Sequence, residues 1–318
     1  MNKIEQKKIR NLANKLFDNT FTNINEEVGE QGNSGAAVHY FFGIGGGKPV
    51  KFVAKHATVL ERQIFDLLKR QNQAIPKFIA GANTTGRDWM VMEHLDEIPY
   101  GDNESAIWAQ KLGLALAKIH VANRGKCPSW LPTLDQKNPL GSVFADKWLP
   151  TYEKLMSDNA EFSRQFGSIF NRLKTSWDEF KQTVNQDLSN SSNLTLISTD
   201  LTPSHWRQRN GEPVLIDWEQ ARFGPIYFDL PNMLNDQTVK YYYSELVRLG
   251  WTIPEDEFAE KFSVLSRYLG FRYMTVGLDY WLDKLSENLA GNYWETVGEK
   301  FFHKCLDIAQ NGYPKPIL

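Results

Sequence analysis

The sequence predicts an α+β protein with two lobes, the first a small antiparallel sheet and the second larger and helical. Three short strand-like runs near the N-terminus are separated by glycine-containing turns, which is typical of an antiparallel meander. From Ser105 onward, apolar residues recur at the spacing of buried helices. A chain of 318 residues is long enough to form a core in each lobe. We therefore expect a small lobe at residues 1–98 and a helical lobe at residues 99–318.

The predicted small lobe begins with a helix over residues 3–17, which places Ile9, Leu12 and Leu16 on one face. A second helix is expected at Thr58–Gln71. The predicted strands are Ile24–Glu30, Ala37–Ile44, Pro49–His56, Ile75–Gly81 and Trp89–Leu95. The polar segment that follows them is expected to be the hinge between the lobes.

The predicted large lobe contains a helix from Ser105, an irregular stretch at Cys127–Leu149 and a long helical region from Pro150. Four more helices are expected at Thr238–Leu249, Glu255–Leu269, Tyr273–Leu285 and Trp294–Asn311. These last helices are rich in Tyr and Trp, which usually indicates a core. A second interpretation is that aromatic rings beside Asp279 or Asp283 form a cage for an amine, so a cationic or hydrophobic amine substrate stays open.

Composition and charge exclude several classes of partner. Lys and Arg number 36 against 38 Asp and Glu, so no overall charge favours nucleic acid or an anionic membrane. The first 17 residues lack the apolar core of a signal peptide, and no apolar run reaches the length of a membrane span. Cys127 and Cys305 are far apart and lack metal-ligand spacing. We expect a cytoplasmic monomer or homodimer with reduced thiols and with neither a nucleic-acid nor a membrane partner.

Residues 194–230 carry the strongest chemical signal. Two short apolar runs, Leu194–Ser198 and Val214–Trp218, are predicted strands, and aspartates 200 and 217 lie where their regular patterns end. An Asn210-Gly211 step between them predicts a tight hairpin, because both central residues of such a turn need positive φ. Two carboxylates held close together can position a hydroxyl group and a metal ion, which suits phosphoryl transfer.

The same stretch resembles the catalytic segment of the aminoglycoside phosphotransferase and choline kinase family of kinase-like small-molecule phosphotransferases. That family has His-Gly-Asp followed four residues later by Asn, then an apolar residue with Asp-Trp/Phe-Glu, then Tyr-x-Asp-Leu. The chain has Ser198–His205, Ile216–Glu219 and Tyr227–Leu230 at matching spacing. The resemblance implies a bilobal protein-kinase-like fold and an ATP-dependent phosphotransferase acting on a hydroxyl of a small molecule such as an aminoglycoside, choline or a sugar amine.

The resemblance also assigns roles to three aspartates. Asp200 would orient the acceptor hydroxyl and take up its proton late, and Asp217 would hold Mg²⁺ that bridges the phosphates. Asp229 would brace the catalytic loop by accepting backbone hydrogen bonds. A protein kinase is disfavoured, because the chain between Asp217 and Asp229 is too short for an activation segment.

Three positions depart from the family motif: Ser198 replaces His, Thr199 replaces Gly, and His205 replaces the metal-binding Asn. Ser198 can still form hydrogen bonds within the loop, so it keeps a structural role. Mg²⁺ prefers oxygen ligands, whereas imidazole suits softer metals. Either the metal is held without His205, or Glu219 helps to hold it, or the site prefers Mn²⁺, or catalysis is weak. A nucleotide-binding pseudokinase is therefore the alternative hypothesis.

The run Phe52–Lys55 in the predicted third strand resembles the family motif that delivers a lysine to the α and β phosphates. Lys55 is favoured, and Lys51 is its rival because an even separation places both on one face of a strand. In the resembling family an acid from the following helix pairs with this lysine, which implies Glu61. Thr58 and Glu61 also have the spacing of a capping box, in which the Glu side chain binds the start of its own helix.

Two further parts of a nucleotide site are predicted. Gly32, Ser34 and Gly35 are expected in the loop that covers the phosphates, because glycine allows close backbone approach. The glycine-rich run at residues 43–47 is interpreted as a plain hairpin turn. In the family the hinge backbone binds adenine, which implies the peptide groups of Glu93, His94 and Leu95.

Overall fold

The computed structural model describes residues 2–28, 36–99, 105–135, 147–231, 236–284 and 298–318. The helices are α1 Lys3–Phe17, α2 Val59–Arg70, α3 Ser105–Asn123, α4 Trp148–Asp158, α5 Ala160–Phe166, α6 Phe170–Leu188, α7 Asp236–Arg248, α8 Glu255–Lys284 and α9 Glu299–Asn311. The strands are β1 Phe21–Val28, β2 Val38–Gly45, β3 Lys48–Ala57, β4 Phe78–Ala80, β5 Asp88–Glu93, β6 Asp96–Glu97, β7 Leu194–Ile197, β8 Trp206–Arg209, β9 Glu212–Leu215 and β10 Arg222–Pro225. The predicted α+β class is confirmed.

The chain divides into two compact units. The first comprises Met1–Ala115 and Thr202–Ala221, and the second comprises Leu116–Leu201 and Arg222–Leu318. The predicted lobes placed the central hairpin in the helical part, whereas spatial proximity places it in the first unit. The reason is a strand pairing: β6, from the predicted hinge, is antiparallel to β8 of the hairpin, with Asp96 opposite Gln208.

The first unit contains a five-stranded antiparallel sheet in the order β1-β2-β3-β5-β4. The predicted meander is therefore confirmed. Strand β3 is central, and Lys55 is aligned with Val38 of β2 and with Met90 of β5. Pairing on both sides fixes the position of β3, so the backbone that carries Lys55 is held firmly.

Helix α1 packs against this sheet. Asn2 caps it, and Glu5 bonds back to the Asn2 backbone in a complete capping box. Ile9 and Leu12 are buried in a core that includes Phe52 and Trp89. Burying a side chain of this size contributes about 1.5–3 kcal/mol, so α1 stabilises the sheet face that supports β3.

The hairpin predicted from the Asn-Gly step is confirmed. Asn210 has φ 53° and Gly211 has φ 78°, and β8 and β9 pair on either side with Arg209 opposite Glu212. Positive φ at both central residues matches the right-handed twist of the strands. The hairpin sets the positions of the residues just before and just after it.

The second unit is mainly helical. Its two-stranded sheet pairs β7 with β10, and β10 was not among the predicted strands. The prediction of separate helices at Glu255–Leu269 and Tyr273–Leu285 is wrong, because α8 is continuous across Gly270. Gly270 lies directly against the backbone of α9, where a Cβ atom would meet Cys305 O and Ala309 N. The glycine there allows close helix packing and does not end the helix.

No helix within the described ranges has both the length and the apolar character that crossing a membrane requires.

Candidate active site

The first unit contains a cavity of about 650 Å³. This volume is in the range of small-molecule sites. Its apolar walls include Val38, Val53, Met92 and Ile216. Glu93, His94 and Leu95, which were predicted to bind adenine through their peptide groups, also line it. The cavity thus combines an apolar slot with a polar edge.

Lys55 carries the positive charge of this cavity. It is only 6% exposed, and its Nζ lies 2.8 Å from Glu61 Oε1 and 2.9 Å from Asp217 Oδ1. Burial alone would lower the pKa of Lys55, but the charges of Glu61 and Asp217 outweigh it and raise the pKa. Lys55 is therefore an ammonium. Its rival Lys51 is exposed and lies over the ring of Phe42, 5.1 Å from the centroid.

Glu61 belongs to the first turn of α2 and is fully buried. Its backbone N–H donates to Thr58 Oγ1 at 3.1 Å, which is one half of a capping box. Its carboxylate accepts from Lys55 and, at 3.4 Å, from the backbone N–H of Trp218. Burial raises the pKa of Glu61 to about 7 although the Lys55 charge opposes the shift. The helix cap and the ion pair thus use different groups of one residue.

Asp217 follows β9 with a left-handed backbone, φ 66°. Burial alone would raise its pKa, but Lys55 and then His205 hold the pKa below its ordinary value. His205 Nε2 lies 3.8 Å from Asp217 Oδ2. Glu219 is bonded to Arg87, a residue that the sequence analysis did not single out, and its Oε2 lies 4.0 Å from Lys55 Nζ. The structure therefore brings together the predicted phosphate-binding lysine and all three predicted metal ligands.

The donor set can be tested against a divalent metal. Oxygen atoms of Glu61, Asp217 and Glu219 lie within 4.8 Å of one another. Carboxylate oxygens suit a hard cation such as Mg²⁺. Asp217, whose side chain is 37% exposed, is the most accessible of the three. The residues fit a divalent ion held mainly by Asp217 with Glu219, while the imidazole of His205 fits Mg²⁺ poorly.

The second unit contains the loop around Asp200, which is held by Asp229. Asp229 is fully buried and accepts hydrogen bonds from the backbone N–H groups of Ser198 and Thr199, both at 2.9 Å. His120 bridges Asp229 and Tyr242, with Nε2 3.2 Å from Asp229 Oδ2 and Nδ1 2.7 Å from the tyrosine oxygen. These groups form a buried network that fixes the backbone just before residue 200.

Asp200 itself is bonded to an arginine that sequence reasoning missed. Arg272 of α8 donates through Nη2 to Asp200 Oδ1 at 2.8 Å and through Nη1 to Thr199 O at 2.5 Å. The Asp200 side chain is 30% exposed and that of Arg272 only 4%. Thr199 has φ 62°, a strained conformation for a β-branched residue at the position where the family has Gly.

The predicted phosphate-covering loop and amine cage are only partly covered by the described residues. Gly32, Ser34 and Gly35 lie outside the described residues. So does the side chain of Asp283, one acid of the suggested amine cage. Tyr242, Tyr243, Trp251, Tyr268 and Trp281 are buried, in keeping with the core interpretation, whereas Tyr241, Tyr273 and Tyr280 are only half-buried.

Comparisons with known proteins agree on one family and one fold. The family model described as "Phosphotransferase enzyme family" matches residues 38–255. No curated protein sequence matches the chain. A spectinomycin phosphotransferase in complex with ADP and spectinomycin is 12% identical, with 96% of this chain and 97% of that chain covered and a TM-score of 0.58.

Two other solved structures share the fold. An amicoumacin kinase in complex with AMP-PNP and Ca²⁺ is 9% identical, with 92% of this chain and 89% of that chain covered and a TM-score of 0.61. An ethanolamine kinase from Plasmodium vivax is 14% identical, with 90% and 83% covered and a TM-score of 0.54. At these identities the likeness establishes a kinase-like fold.

Proposed function

The chain belongs to the phosphotransferase enzyme family, and from that premise we propose that it transfers the γ-phosphoryl group of ATP to a hydroxyl of a small, amine-bearing molecule. The observation that carries this proposal is the buried Lys55 ammonium between Glu61 and Asp217 in a cavity of about 650 Å³. Burying an unpaired lysine would cost folding free energy, but Lys55 is paired with two carboxylates. Its ammonium supplies positive charge where a phosphate chain would need it.

ATP binding uses three features of the cavity. The adenine ring would lie between the apolar side chains of Val53 and Ile216, with the segment Glu93–Leu95 at its edge. The N–H groups of Glu93 and His94 already donate to Lys77 O and Lys51 O, so adenine would meet other peptide groups of this segment. Lys55 contacts the α and β phosphates. The residues that would contact ATP all line this cavity.

Asp217 would hold a divalent ion with help from Glu219. Such an ion would supply positive charge that offsets the negative charge of the phosphates. Mg²⁺ is the expected ion, and Mn²⁺ is accepted because His205 stands beside Asp217 and Mn²⁺ tolerates imidazole better than Mg²⁺ does. Arg87 bonds to Glu219 and limits the directions in which that carboxylate can turn.

The transfer step depends mainly on orientation. A loose transition state leaves little covalent work for the protein, so Asp200 accepts a hydrogen bond from the acceptor hydroxyl and takes up its proton late. Asp229 holds the backbone of the loop through Ser198 and Thr199. The acceptor class is inferred from relatives of the same fold, which are named for spectinomycin, ethanolamine and choline. All three bear a hydroxyl together with an amine or a quaternary ammonium group.

A second candidate function is nucleotide binding without transfer. It is favoured by one observation, the imidazole of His205 at 3.8 Å from Asp217 where the family motif has an amide. A metal site weakened in this way would still leave the cavity and Lys55 able to bind nucleotide. Both hypotheses predict that the cavity binds nucleotide, and only the first predicts transfer of the phosphoryl group.

The test is a transfer assay with ATP and either Mg²⁺ or Mn²⁺ against spectinomycin, ethanolamine, choline and glucosamine, read by mass spectrometry of the acceptor. We expect one class to gain a phosphoryl group, and Asp200→Asn to lower the rate of product formation by about 100-fold or more, to a residual rate that can still be measured. Asp178→Asn, which changes a 74%-exposed aspartate on α6, is the matched control and should keep full activity. Nucleotide-dependent thermal stabilisation with neither ADP nor phosphorylated product would establish the second candidate instead.

A further inference from the structure

Arg272 joins α8 to the loop that carries the proposed acceptor-orienting carboxylate. Its two terminal nitrogens act on two successive residues: Nη1 donates to Thr199 O at 2.5 Å, and Nη2 donates to Asp200 Oδ1 at 2.8 Å. A guanidinium is planar and rigid, so bonds from both nitrogens fix the carboxylate relative to the neighbouring peptide. A lysine at this position offers three freely rotating donors on one nitrogen, which do not fix a direction in the same way.

The helix behind Arg272 is itself anchored close to the loop. Tyr268, one turn earlier on α8, is buried and donates to the backbone oxygen of Phe228, the residue before Asp229. The Tyr273 ring lies beside Arg272, with its centroid 5.6 Å from the guanidinium carbon. The Arg272 side chain is 4% exposed and therefore has little freedom to leave the contact.

The loop needs such a restraint. Thr199 has φ 62°, and a β-branched residue adopts this conformation only when its surroundings enforce it. Asp229 accepts hydrogen bonds from the backbone N–H groups of Ser198 and Thr199, and Arg272 donates one to the carbonyl oxygen of Thr199. The two sets of bonds act on opposite ends of residue 199 and set the direction in which Asp200 leaves the backbone.

We propose that Arg272 is a positioning residue for phosphoryl transfer, which orients the Asp200 carboxylate toward the acceptor hydroxyl. This inference rests on the proposed function and adds a residue from a distant part of the chain. Arg272 does not touch the reacting atoms. Because the transition state is loose, a fixed direction of the carboxylate matters more than its strength as a base.

The test measures ATP turnover with water as the acceptor, by phosphate release, for wild type, Arg272→Met and Arg272→Lys. The expected result for Arg272→Met is a fall in kcat of about 100-fold, the loss that a small misplacement of a reacting group produces, with KM for ATP within about twofold. Arg272→Lys should be intermediate and serves as the test variant if Arg272→Met does not fold.

A matched control separates positioning from stability. Arg267 lies on the same helix, is 12% exposed and bonds to Glu179 Oε2 at 2.6 Å. Arg267→Met removes a similarly enclosed guanidinium without touching the loop, so it should lower Tm and leave kcat within about twofold. A loss of kcat in Arg267→Met equal to that in Arg272→Met would overturn the inference.

A second readout uses Asp200→Asn as the background. A residue that acts only through the Asp200 carboxylate has no further effect on kcat once that carboxylate is an amide. A full additional loss in the double variant, or a kcat for Arg272→Met equal to or above wild type, would reject the positioning role while leaving the proposed function intact. Absence of wild-type turnover with water and with each of the four acceptors of the transfer assay would reject both.

Discussion

Replacing Lys55 with methionine tests whether the acidic groups around it form one electrostatically coupled cluster. The substitution removes an ammonium that lies 2.8 Å from Glu61 and 2.9 Å from Asp217. Carboxylate oxygens of these two residues and of Glu219 lie within 4.8 Å of one another. At an effective dielectric constant of 20, two unit charges 4.8 Å apart repel each other by ~3.5 kcal/mol.

The expected loss of stability is smaller than the sum of the repulsion energies over all three carboxylate pairs. Asp217 is 37% exposed, so water and salt screen its share of the repulsion, whereas Glu61 is fully buried. Arg87 still neutralises part of the charge on Glu219. We expect the free energy of unfolding of Lys55→Met to fall by about 3 kcal/mol at pH 8, at the lower end of the range for broken buried pairs.

The loss depends on pH through Glu61. Its pKa in the folded protein is about 7, above its ordinary 4.5, and loss of the lysine charge raises it further. At a pH between about 7 and that raised value, folded Lys55→Met keeps a proton on Glu61 that folded wild type and the unfolded chains have released, so the variant loses stability relative to wild type as the pH rises. Lys55→Met should therefore lose less at pH 6 than at pH 8, with a slope of up to ~1.4 kcal/mol per pH unit.

Divalent cations should restore part of the stability, because three carboxylates without an ammonium form a site for a hard cation. At a concentration 100 times the Kd the gain is about 2.7 kcal/mol. The assay is urea unfolding at pH 6 and pH 8, with EDTA and with Mg²⁺. Lys51→Met, which changes an exposed lysine on the same strand, is the control and should lose less than about 1 kcal/mol.

One set of results would refute this reasoning. If Lys55→Met lost the same free energy at both pH values and gained nothing from Mg²⁺, the carboxylates would not be coupled. If Lys51→Met lost as much as Lys55→Met, burial of the ammonium between acids would not be the source of the effect.

Three further changes have defined outcomes. Thr199→Gly should raise the free energy of unfolding by up to ~1 kcal/mol, because relief of a left-handed threonine exceeds the entropy cost of glycine; a lower Tm in thermal unfolding would contradict this. Asp88 is 3% exposed, and although burial alone would raise its pKa, hydrogen bonds from Lys8 and two backbone N–H groups hold the pKa below its ordinary value. Asp88→Asn should therefore lower the free energy of unfolding at pH 7. The difference from wild type should shrink as the pH falls through the pKa of Asp88 in the folded protein, measured by urea unfolding across that range. His205→Asn should raise Mg²⁺-dependent ATP turnover by roughly tenfold; a fall with the fold intact would show that this histidine has its own role.

Local signals in the sequence predicted the parts of the site that lie close together along the chain. The Asn210-Gly211 step determined the hairpin because only a few residue types adopt positive φ twice in succession. Lys55 and Glu61 are six residues apart, and the end of a strand followed at once by a helix brings them within bonding distance. The family resemblance implied this pairing, whereas the spacing of Thr58 and Glu61 alone also allowed a capping box.

Long-range contacts explain what sequence reasoning missed. Strand β10 contains Gly224 and Pro225 and has no alternating pattern, so it is a strand only because β7 pairs with it. The continuity of α8 through Gly270 likewise depends on packing against α9. Arg87 and Arg272 are single arginines whose partners lie 132 and 72 residues away, and neither sits in a local pattern that marks it.

The two departures at Ser198 and His205 have different consequences because the fold uses different parts of these residues. At Ser198 the loop relies on the backbone N–H, which donates to Asp229 at 2.9 Å whatever the side chain is. At His205 the side chain itself lines the cavity and lies 3.8 Å from Asp217, the main proposed metal ligand. Loss of the family histidine at position 198 therefore says little against catalysis. The choice between an active phosphotransferase and a nucleotide-binding protein depends on residue 205, where an imidazole must either tolerate the metal or select a softer one.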